Sequence, residues 1–241
     1  MSKLTTESTQ KFDSLIQTSM IAGIKKLVIE SGKIRGIDEK QQVVIVTSNN
    51  VPDLGGKQIG ISRLDSLCAR LSLIKNQGSL DITATEHPTE KQDIAQLDLS
   101  SGKVKAQFRC STVSAVKGVP KTISDSFVWE IKLESKYFPT IVQAVSAMGS
   151  EAVTIASKDG KTVVVELVDA NKDVFTTELS DNIKWISTKT ASTSFCHKYP
   201  AKPFVSIMKE SLKSNDKITI GEGGMLSLLI NGFDFYLLPT Q

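Results

Sequence analysis

The side chains best suited to covalent or metal chemistry are few in this sequence and lie far apart. The 241 residues include two histidines, His87 and His197, and three cysteines, Cys68, Cys110 and Cys196. A structural zinc site needs four such ligands at short, regular spacings, which this set does not provide. Cys196 and His197 are adjacent, but neighbours along a chain are rarely a nucleophile and its base. The odd, irregularly spaced cysteines predict free thiols in a reducing compartment.

Glycine-rich segments that bind phosphate, and the sharp turns that expose nucleophiles, are also missing. "GGKQIG", which begins at Gly55, lacks the spacing of a phosphate-binding loop, and "GEGG" at Gly221 predicts a turn or bulge. No G-x-S-x-G segment occurs. Carboxylates are scattered over turns and helix starts, where capping explains them. The sequence therefore predicts no enzyme, cofactor or metal, although an enzyme with an unrecognised site stays an alternative.

The remaining chemistry is electrostatic, and it depends on four segments that share one pattern. Each has a large apolar residue, any residue, a hydroxyl and two apolar residues: "FDSLI" from Phe12, "LDSLC" from Leu64, "FPTIV" from Phe138 and "FVSIM" from Phe204. Apolar residues at i, i+3 and i+4 share one face of a helix, so each segment predicts a short amphipathic helix. Chance is an alternative explanation, because any amphipathic helix has an apolar stripe.

The faces opposite the apolar stripes are predicted to carry hydroxyls and cations. The first helix, for example, is expected to present Ser14, Gln17 and Thr18. A solvated surface explains each face separately, but four such faces together would suit one long polyanion, contacted at its phosphates without reading of bases. The cations predicted on or beside these faces are Lys11, Arg63, Arg70, Lys75, Lys136, Lys209 and Lys213.

Hairpin-rich β sequence follows each predicted helix. Turn signals interrupt the apolar runs at Ser31-Gly32, Ser101-Gly102, Asp159-Gly160 and Asn231-Gly232. The chain therefore consists of two halves, each built as helix, strands, helix, strands. We interpret the halves as an internal duplication whose elements share a core within each half.

The length and composition suit two globular domains. The chain is 40% hydrophobic and 23% charged, with a formal net charge of +3. We place an N-terminal domain at 1–112, a Ser-, Thr- and Lys-rich connector at 113–127, and a C-terminal domain at 128–241. No apolar run approaches the roughly 18 residues of a membrane helix, and residues 1–10 lack a signal-peptide core. We expect a soluble intracellular protein, in the host cytoplasm if the source is viral.

In this order of elements, the chain resembles a DNA sliding clamp of the proliferating-cell-nuclear-antigen type, and in particular the version of T4-like bacteriophages. The ending "GFDFYLLPTQ" is similar to the family's aromatic-Tyr-Leu-Ala-Pro terminus, with Leu238 in place of alanine. "GIDEKQQVVIV", from Gly36, lies where the family has Met-Asp-Ser-Ser-His. Asp38 matches that segment, whereas Ile37 and Gln41 depart from it. A first helix without a preceding strand is similar to the phage version.

The resemblance implies an α+β DNA-clamp fold: two similar domains, each with two helices packed on antiparallel sheets. It implies a homotrimeric ring around double-stranded DNA, without sequence-specific contacts. The helices would line the hole, so the cations of the helix faces are the residues predicted to face DNA. Such a processivity factor tethers a DNA polymerase and other DNA-acting proteins, and an ATP-dependent clamp loader places it on DNA. No membrane partner is implied. A structural β-rich protein with duplicated domains, such as a viral assembly component, is the alternative.

The resemblance also implies a subunit interface and a partner-peptide pocket. The family pairs an edge strand of one half with an edge strand of the next subunit's other half. By their order along the chain, the two candidate strands are "KVKAQFRC" and "DVFTTELS". The alternative is that both are internal strands. The charged interface residues are Lys103, Lys105, Arg109, Asp173 and Glu178. The pocket residues are Ile37, Gln41, Val119, Pro120, Tyr236, Leu237, Leu238 and Pro239. For Tyr236 and Leu237, packing in the core is the alternative.

Overall fold

The structure is a computed structural model that describes residues 2–132, 138–180, 183–185, 194–213 and 217–240. The chain folds as two units, Met1–Thr122 and Ile123–Gln241. Each unit combines α-helices with antiparallel sheets, so the predicted α+β class is confirmed.

The described part of the first unit has two helices and two four-stranded sheets. The helices are α1 (Thr6–Ile21) and α2 (Leu64–Lys75). The strands are β1 (Ser2–Lys3), β2 (Ile24–Glu30), β3 (Lys33–Asp38), β4 (Val43–Thr47), β5 (Ile59–Ile61), β6 (Asp81–Glu86), β7 (Ile94–Ser101) and β8 (Val104–Arg109). One sheet has the order β1-β6-β7-β8. The other has the order β4-β3-β2-β5.

The described part of the second unit also has two helices and two sheets. The helices are α3 (Phe138–Met148) and α4 (Ala201–Ser211). The strands are β9 (Phe127–Lys132), β10 (Ala152–Ser157), β11 (Thr162–Val168), β12 (Val174–Ser180), β13 (Ile183–Trp185), β14 (Phe195–Pro200), β15 (Lys217–Gly221), β16 (Leu226–Ile230) and β17 (Phe233–Leu237). The sheets have the orders β12-β11-β10-β14 and β13-β9-β15-β16-β17.

The two units repeat one topology. In each, a leading strand is followed by a helix and a three-stranded meander. The strand directly before the second helix, β5 or β14, then pairs with the first strand of this meander. After the second helix comes another meander, whose first strand pairs with the leading strand, as β6 does with β1 and β15 with β9. The predicted duplication is therefore confirmed, since chance similarity of four helices would not repeat the strand pairing.

The leading strand of the first unit was not predicted. Ser2 and Lys3 pair with Ala84 and Thr83, and the N–H of Leu4 donates to Ile82 O at 2.9 Å. The expectation of a first helix without a preceding strand is therefore wrong, because two residues are too few to show a strand pattern. The similarity to the phage version that depended on this feature is lost with it.

The helices bury the predicted apolar stripes. Phe12, Leu15 and Ile16 of α1 are fully buried. The corresponding residues of the other helices are also in the core: Leu64, Leu67, Phe138, Ile141, Phe204, Ile207 and Met208. The expectation that Thr18 faces outward is wrong, because α1 packs against α2 as well as against the strands, and this buries Thr18 to 2% exposure. Helix α1 also starts earlier than predicted, since the Thr5 hydroxyl caps it by accepting from Ser8 N at 3.2 Å.

All four predicted turns join consecutive strands: β2–β3, β7–β8, β10–β11 and β16–β17. In the last of these, Asn231 and Gly232 have φ values of 52° and 82°. Positive φ at both positions is what a tight two-residue hairpin needs, and Asn and Gly tolerate it best. The hairpin signals were therefore reliable guides to the sheets.

Candidate functional site

The two helices of the first unit lie side by side and antiparallel. Lys75 Nζ of α2 contacts Asp13 Oδ2 of α1 at 2.5 Å, and the Cys68 thiol donates to Gln17 Oε1 at 3.5 Å. These links run in opposite order along the two helices, which fixes their antiparallel direction. Burial raises the pKa of the Cys68 thiol, so it remains a neutral donor near neutral pH.

Three of the lysines predicted to face DNA are paired with carboxylates. Besides the Lys75–Asp13 pair, Lys11 Nζ lies 2.7 Å from Glu7 Oε1, and Lys213 Nζ lies 2.7 Å from Glu210 Oε2. The hydrogen bond from Lys11 lowers the pKa of the Glu7 carboxyl, so this pair stays ionised. These pairs leave the helices with less excess positive charge than a count of lysines suggests.

The other predicted DNA-facing lysines differ from one another. Lys209 is exposed on α4 and has no ion pair within the described residues. Lys136 lies outside the described residues.

The sequence prediction overlooked Glu7 as the partner of Lys11, although the i, i+4 spacing of the two residues was a usable signal. The Lys75–Asp13 pair joins residues on two helices and gave no local signal.

Arg63, at the N-cap of α2, and Arg70, within α2, lie against strand β8. Arg63 Nη2 donates to Arg109 O at 3.3 Å, and Arg70 Nε donates to Gln107 O at 3.1 Å. Both guanidinium groups also cover the buried Phe108 ring, at 5.5 Å and 6.0 Å from its centroid. The structure thus ties these predicted DNA-facing arginines to the end of a sheet, a contact that sequence reasoning missed.

The two strands predicted to form the subunit interface are both edge strands. In the sheets formed by the described residues, β8 pairs only with β7, and β12 pairs only with β11. Lys105 and Arg109 of β8 and Glu178 of β12 are exposed, as are Lys103 and Asp173, which directly precede the two strands. Among the described residues, neither strand is an internal strand of its own unit. Their role in subunit contacts stays a prediction.

The residues that lead into the predicted connector are fastened to the first unit. Gly60 and Ser111 exchange backbone hydrogen bonds of 3.1 Å and 2.8 Å. A Cβ at Gly60 would come within 2.8 Å of Ser111 O and Thr112 O, so this close approach requires glycine. Further along, Lys26 Nζ donates to Lys117 O at 3.3 Å. The connector therefore has a fixed course over this part of the first unit.

The predicted partner-binding residues of the first unit surround part of a cavity. Ile37 is nearly buried at 7% exposure, whereas Gln41 is exposed in the turn after β3. Asp38 Oδ1 shapes this turn by accepting from Gln42 N and Val43 N at 2.6 Å and 2.8 Å. The cavity has a volume of about 460 Å³ and is also lined by Lys117 and Gly118 of the connector. Val119 and Pro120 are half-buried nearby in sequence.

The predicted partner-binding residues of the second unit differ in accessibility. Leu237 is fully buried, as the core-packing alternative expects. Tyr236, Leu238 and Pro239 are half-buried, and burial raises the pKa of the Tyr236 hydroxyl. Thr240 N donates to Lys198 O at 2.7 Å, which fastens the end of the chain to β14. Tyr236, Leu238 and Pro239 are therefore accessible to a partner, whereas Leu237 is not.

Two further properties concern the described residues alone. They contain no cluster of three or more His, Cys, Asp or Glu side chains that could hold a metal ion. In the same part of the chain, none of the helices is long and apolar enough to cross a membrane.

Comparison with known proteins identifies the fold. Neither a protein-family model nor a curated protein sequence matches the chain. Among solved structures, the chain is similar to PCNA from Thermococcus kodakaraensis, with 15% identity, a TM-score of 0.64 and 99% coverage of both chains. It is similar to the PCNA2–PCNA3 complex from Sulfolobus tokodaii, with 18% identity, a TM-score of 0.62 and coverage of 99% and 98%.

A third similar structure is A. fulgidus PCNA with the C-terminal region of FEN-1 bound, at 13% identity and a TM-score of 0.63. It covers 100% of this chain and 98% of that one. The likeness extends over both units and over at least 98% of each compared chain. The chain therefore has the DNA-clamp fold, as predicted.

Proposed function

We propose that the protein is a sliding clamp: three copies close head to tail into a ring around duplex DNA and tether a DNA polymerase. The observation that carries this proposal is the whole-length likeness to PCNA chains, over 98–99% of each. A clamp acts by enclosing DNA rather than by catalysis, in keeping with the scattered reactive side chains of the sequence.

The charge of the helices supports loose contact with DNA. Lys11, Lys75 and Lys213 each have a carboxylate partner within 2.7 Å, and only cations without such partners would gain fully from a phosphate. A ring that must slide needs weak, sequence-independent attraction, because each strong phosphate contact adds a barrier to movement. In this proposal Lys209 contributes more than the paired lysines, and retention on DNA is topological.

Ring closure in this proposal uses the two edge strands. Strand β8 carries Lys105 and Arg109, with Lys103 just before it, and β12 carries Glu178, with Asp173 just before it. Pairing β8 of one copy with β12 of the next would join two sheets and bring opposite charges together. Because β8 and β12 are in different units, the contact is heterologous, and it closes into a ring when three rotations complete a circle.

Partner proteins are proposed to bind along the connector and the C-terminus. A short apolar motif of a polymerase tail would contact Leu238 and Pro239, with Ile37, Gln41, Val119, Pro120 and Tyr236 as the further proposed contacts. The partial exposure of Leu238 and Pro239 supports this assignment. A closed ring cannot thread onto DNA without ends, so an ATP-dependent loader is part of the proposal.

The test is retention on DNA with and without ends. The protein is loaded onto nicked circular plasmid DNA with a clamp loader, the complex is isolated by gel filtration, and half of it is linearised by a single-cutting restriction enzyme. We expect the protein to stay with the circle and to leave the linear DNA. Equal retention on both forms would identify an ordinary DNA-binding protein, and no retention on either would support a structural protein without a DNA role.

A further inference from the structure

Strand β8 has a free edge whose polar groups can be identified. In an antiparallel sheet, the N–H and C=O of one residue point to the same side, and successive residues alternate. The carbonyls of Gln107 and Arg109 accept from arginines of α2, so they point away from β7. Lys105 has the same parity. The outward carbonyls of this edge are therefore those of Lys105, Gln107 and Arg109.

Two of these three outward carbonyls are occupied within the subunit. Arg70 Nε is 3.1 Å from Gln107 O, and Arg63 Nη2 is 3.3 Å from Arg109 O. The arginines are held there by the Phe108 ring below them and, for Arg70, by a second hydrogen bond of 2.8 Å to Ser66 O. An uncovered edge is a template for any extended strand, and proteins commonly block such edges.

We propose that Arg63 and Arg70 form an edge cap, which occupies β8 in the free subunit and competes with strand β12 of a second copy for the same carbonyls. This inference rests on the proposed function for its occupant, and it adds a role for two arginines that sequence reasoning assigned to DNA. The cap weakens subunit association and restricts pairing to a strand able to displace it.

Charge identifies β12 of a second copy as that strand. The β8 edge is lined by the cations Lys105 and Arg109 in addition to the two capping arginines. The free edge of β12 carries exposed Glu178 and follows exposed Asp173, and its first residue Val174 is 58% exposed. An acidic edge complements the basic side chains of Lys105 and Arg109 on the β8 edge.

Displacement of the cap is feasible because both of its hydrogen bonds to β8 are exposed to solvent. Arg63 is exposed, and its 3.3 Å bond is longer than the usual N–H···O distance. An incoming backbone N–H lies in the plane of the sheet and points directly at the carbonyl, which gives better geometry than a side chain approaching from the helix.

The test compares two double variants of the full chain by sedimentation analysis of self-association. Arg63→Met with Arg70→Met removes both donors, while the methionine side chains keep the Phe108 ring covered. Lys103→Met with Lys105→Met is the matched control, because it removes the same charge beside β8 from lysines that make no hydrogen bond or ion pair within the described residues. Far-UV circular dichroism and thermal melts check that both variants fold.

We expect the arginine variant to associate about tenfold more tightly than the wild type, and the lysine variant to associate equally or more weakly. An unchanged or weaker association of the arginine variant overturns the edge cap, as does equal tightening of both variants, which would be an effect of charge. If the wild type is retained on circular DNA and the arginine variant self-associates no more tightly than the wild type, the cap is refuted but the clamp proposal is not. A wild type that self-associates but leaves circular DNA freely would refute the clamp proposal alone.

Discussion

The carboxylate of Asp93 accepts a hydrogen bond from the backbone N–H of Val113, at 3.0 Å from Oδ2. Its other oxygen accepts from Gln58 Nε2 at 2.5 Å, and the residue is only 2% exposed. One buried side chain thus joins the residue before β5, the residue before β7 and the start of the connector. The course of the connector over the first unit depends on this contact.

Replacement of this carboxylate is expected to be costly. Asp93→Ala would leave Val113 N–H and Gln58 Nε2 without their acceptors in a buried site, so we expect a loss of about 2–4 kcal/mol in the free energy of unfolding. Urea denaturation followed by circular dichroism measures it. Asp53→Ala is the control, because Asp53 is exposed and accepts from Gly55 N at 2.8 Å. Equal losses in the two variants would contradict the assigned role of Asp93.

The second unit is expected to lose stability in mild acid because of His197. Its ring stacks on the Phe195 ring, with 5.9 Å between the ring centroids, and lies near Trp129. Burial lowers the pKa of His197, and the nearby Asp125 carboxylate partly opposes this effect. A lowered folded-state pKa means that the unfolded chain binds the proton more readily. The stability contribution is therefore complete above the unfolded pKa of about 6.5 and falls as the pH drops below it.

The measurement is the melting temperature of the wild type and of His197→Gln between pH 7.5 and pH 5. We expect the wild type to lose more stability over this range than the variant does. His87→Gln, in the loop before β7, controls for the removal of one histidine. If His197→Gln showed the same pH dependence as the wild type, burial of this histidine would not be the cause.

Much of the fold could be predicted because burial is periodic along the sequence. The stripe of Phe12, Leu15 and Ile16 identified α1, and Asn231-Gly232 identified the last hairpin, since both signals are local. The start of α1 was missed because its first turns are polar: Ser8 and Thr9 are buried without being apolar. Their burial follows from neighbouring elements, which sequence periodicity does not reveal.

The candidate site was less predictable because charges are balanced by distant residues. The sequence placed Lys75 and Arg70 on outward helix faces, but Asp13 and the carbonyl of Gln107, which hold them, come from other elements. Position along a helix gives the direction of a side chain. It does not give the partner that the fold brings to it.

Binding to DNA is expected to depend more on Lys209 than on Lys213. Lys209 is exposed without an ion pair in the described residues, whereas Lys213 is paired with Glu210 at 2.7 Å. Lys209→Ala should lower the salt dependence of binding to linear duplex DNA, by about 1 in the log–log slope for each phosphate that the variant no longer neutralises. Lys213→Ala is the matched control and should change it less. Fluorescence anisotropy at several salt concentrations measures the slopes, and a larger effect of Lys213→Ala would contradict the prediction.

Partner binding is expected to distinguish two adjacent leucines. Leu238→Ala with Pro239→Ala should weaken binding of a polymerase tail peptide and leave the trimer intact, because both residues are half-exposed at the chain end. Leu237→Ala should instead lower the free energy of unfolding by about 2–5 kcal/mol, since Leu237 is fully buried. Isothermal titration calorimetry measures peptide affinity and light scattering measures the trimer. Unchanged peptide affinity of the double variant would refute the proposed pocket.

Ring closure is expected to require the outward N–H of Gln107. Because Gln107 O points away from β7, its N–H does too, and a proline there would remove no hydrogen bond within the subunit. Gln107→Pro should therefore leave the monomer folded but prevent a second copy from pairing with β8, so that light scattering shows monomers. Gln107→Ala, which keeps the N–H, should still form trimers. A trimeric Gln107→Pro variant would exclude β8 from the subunit interface, and with it the proposed pairing of β8 with β12.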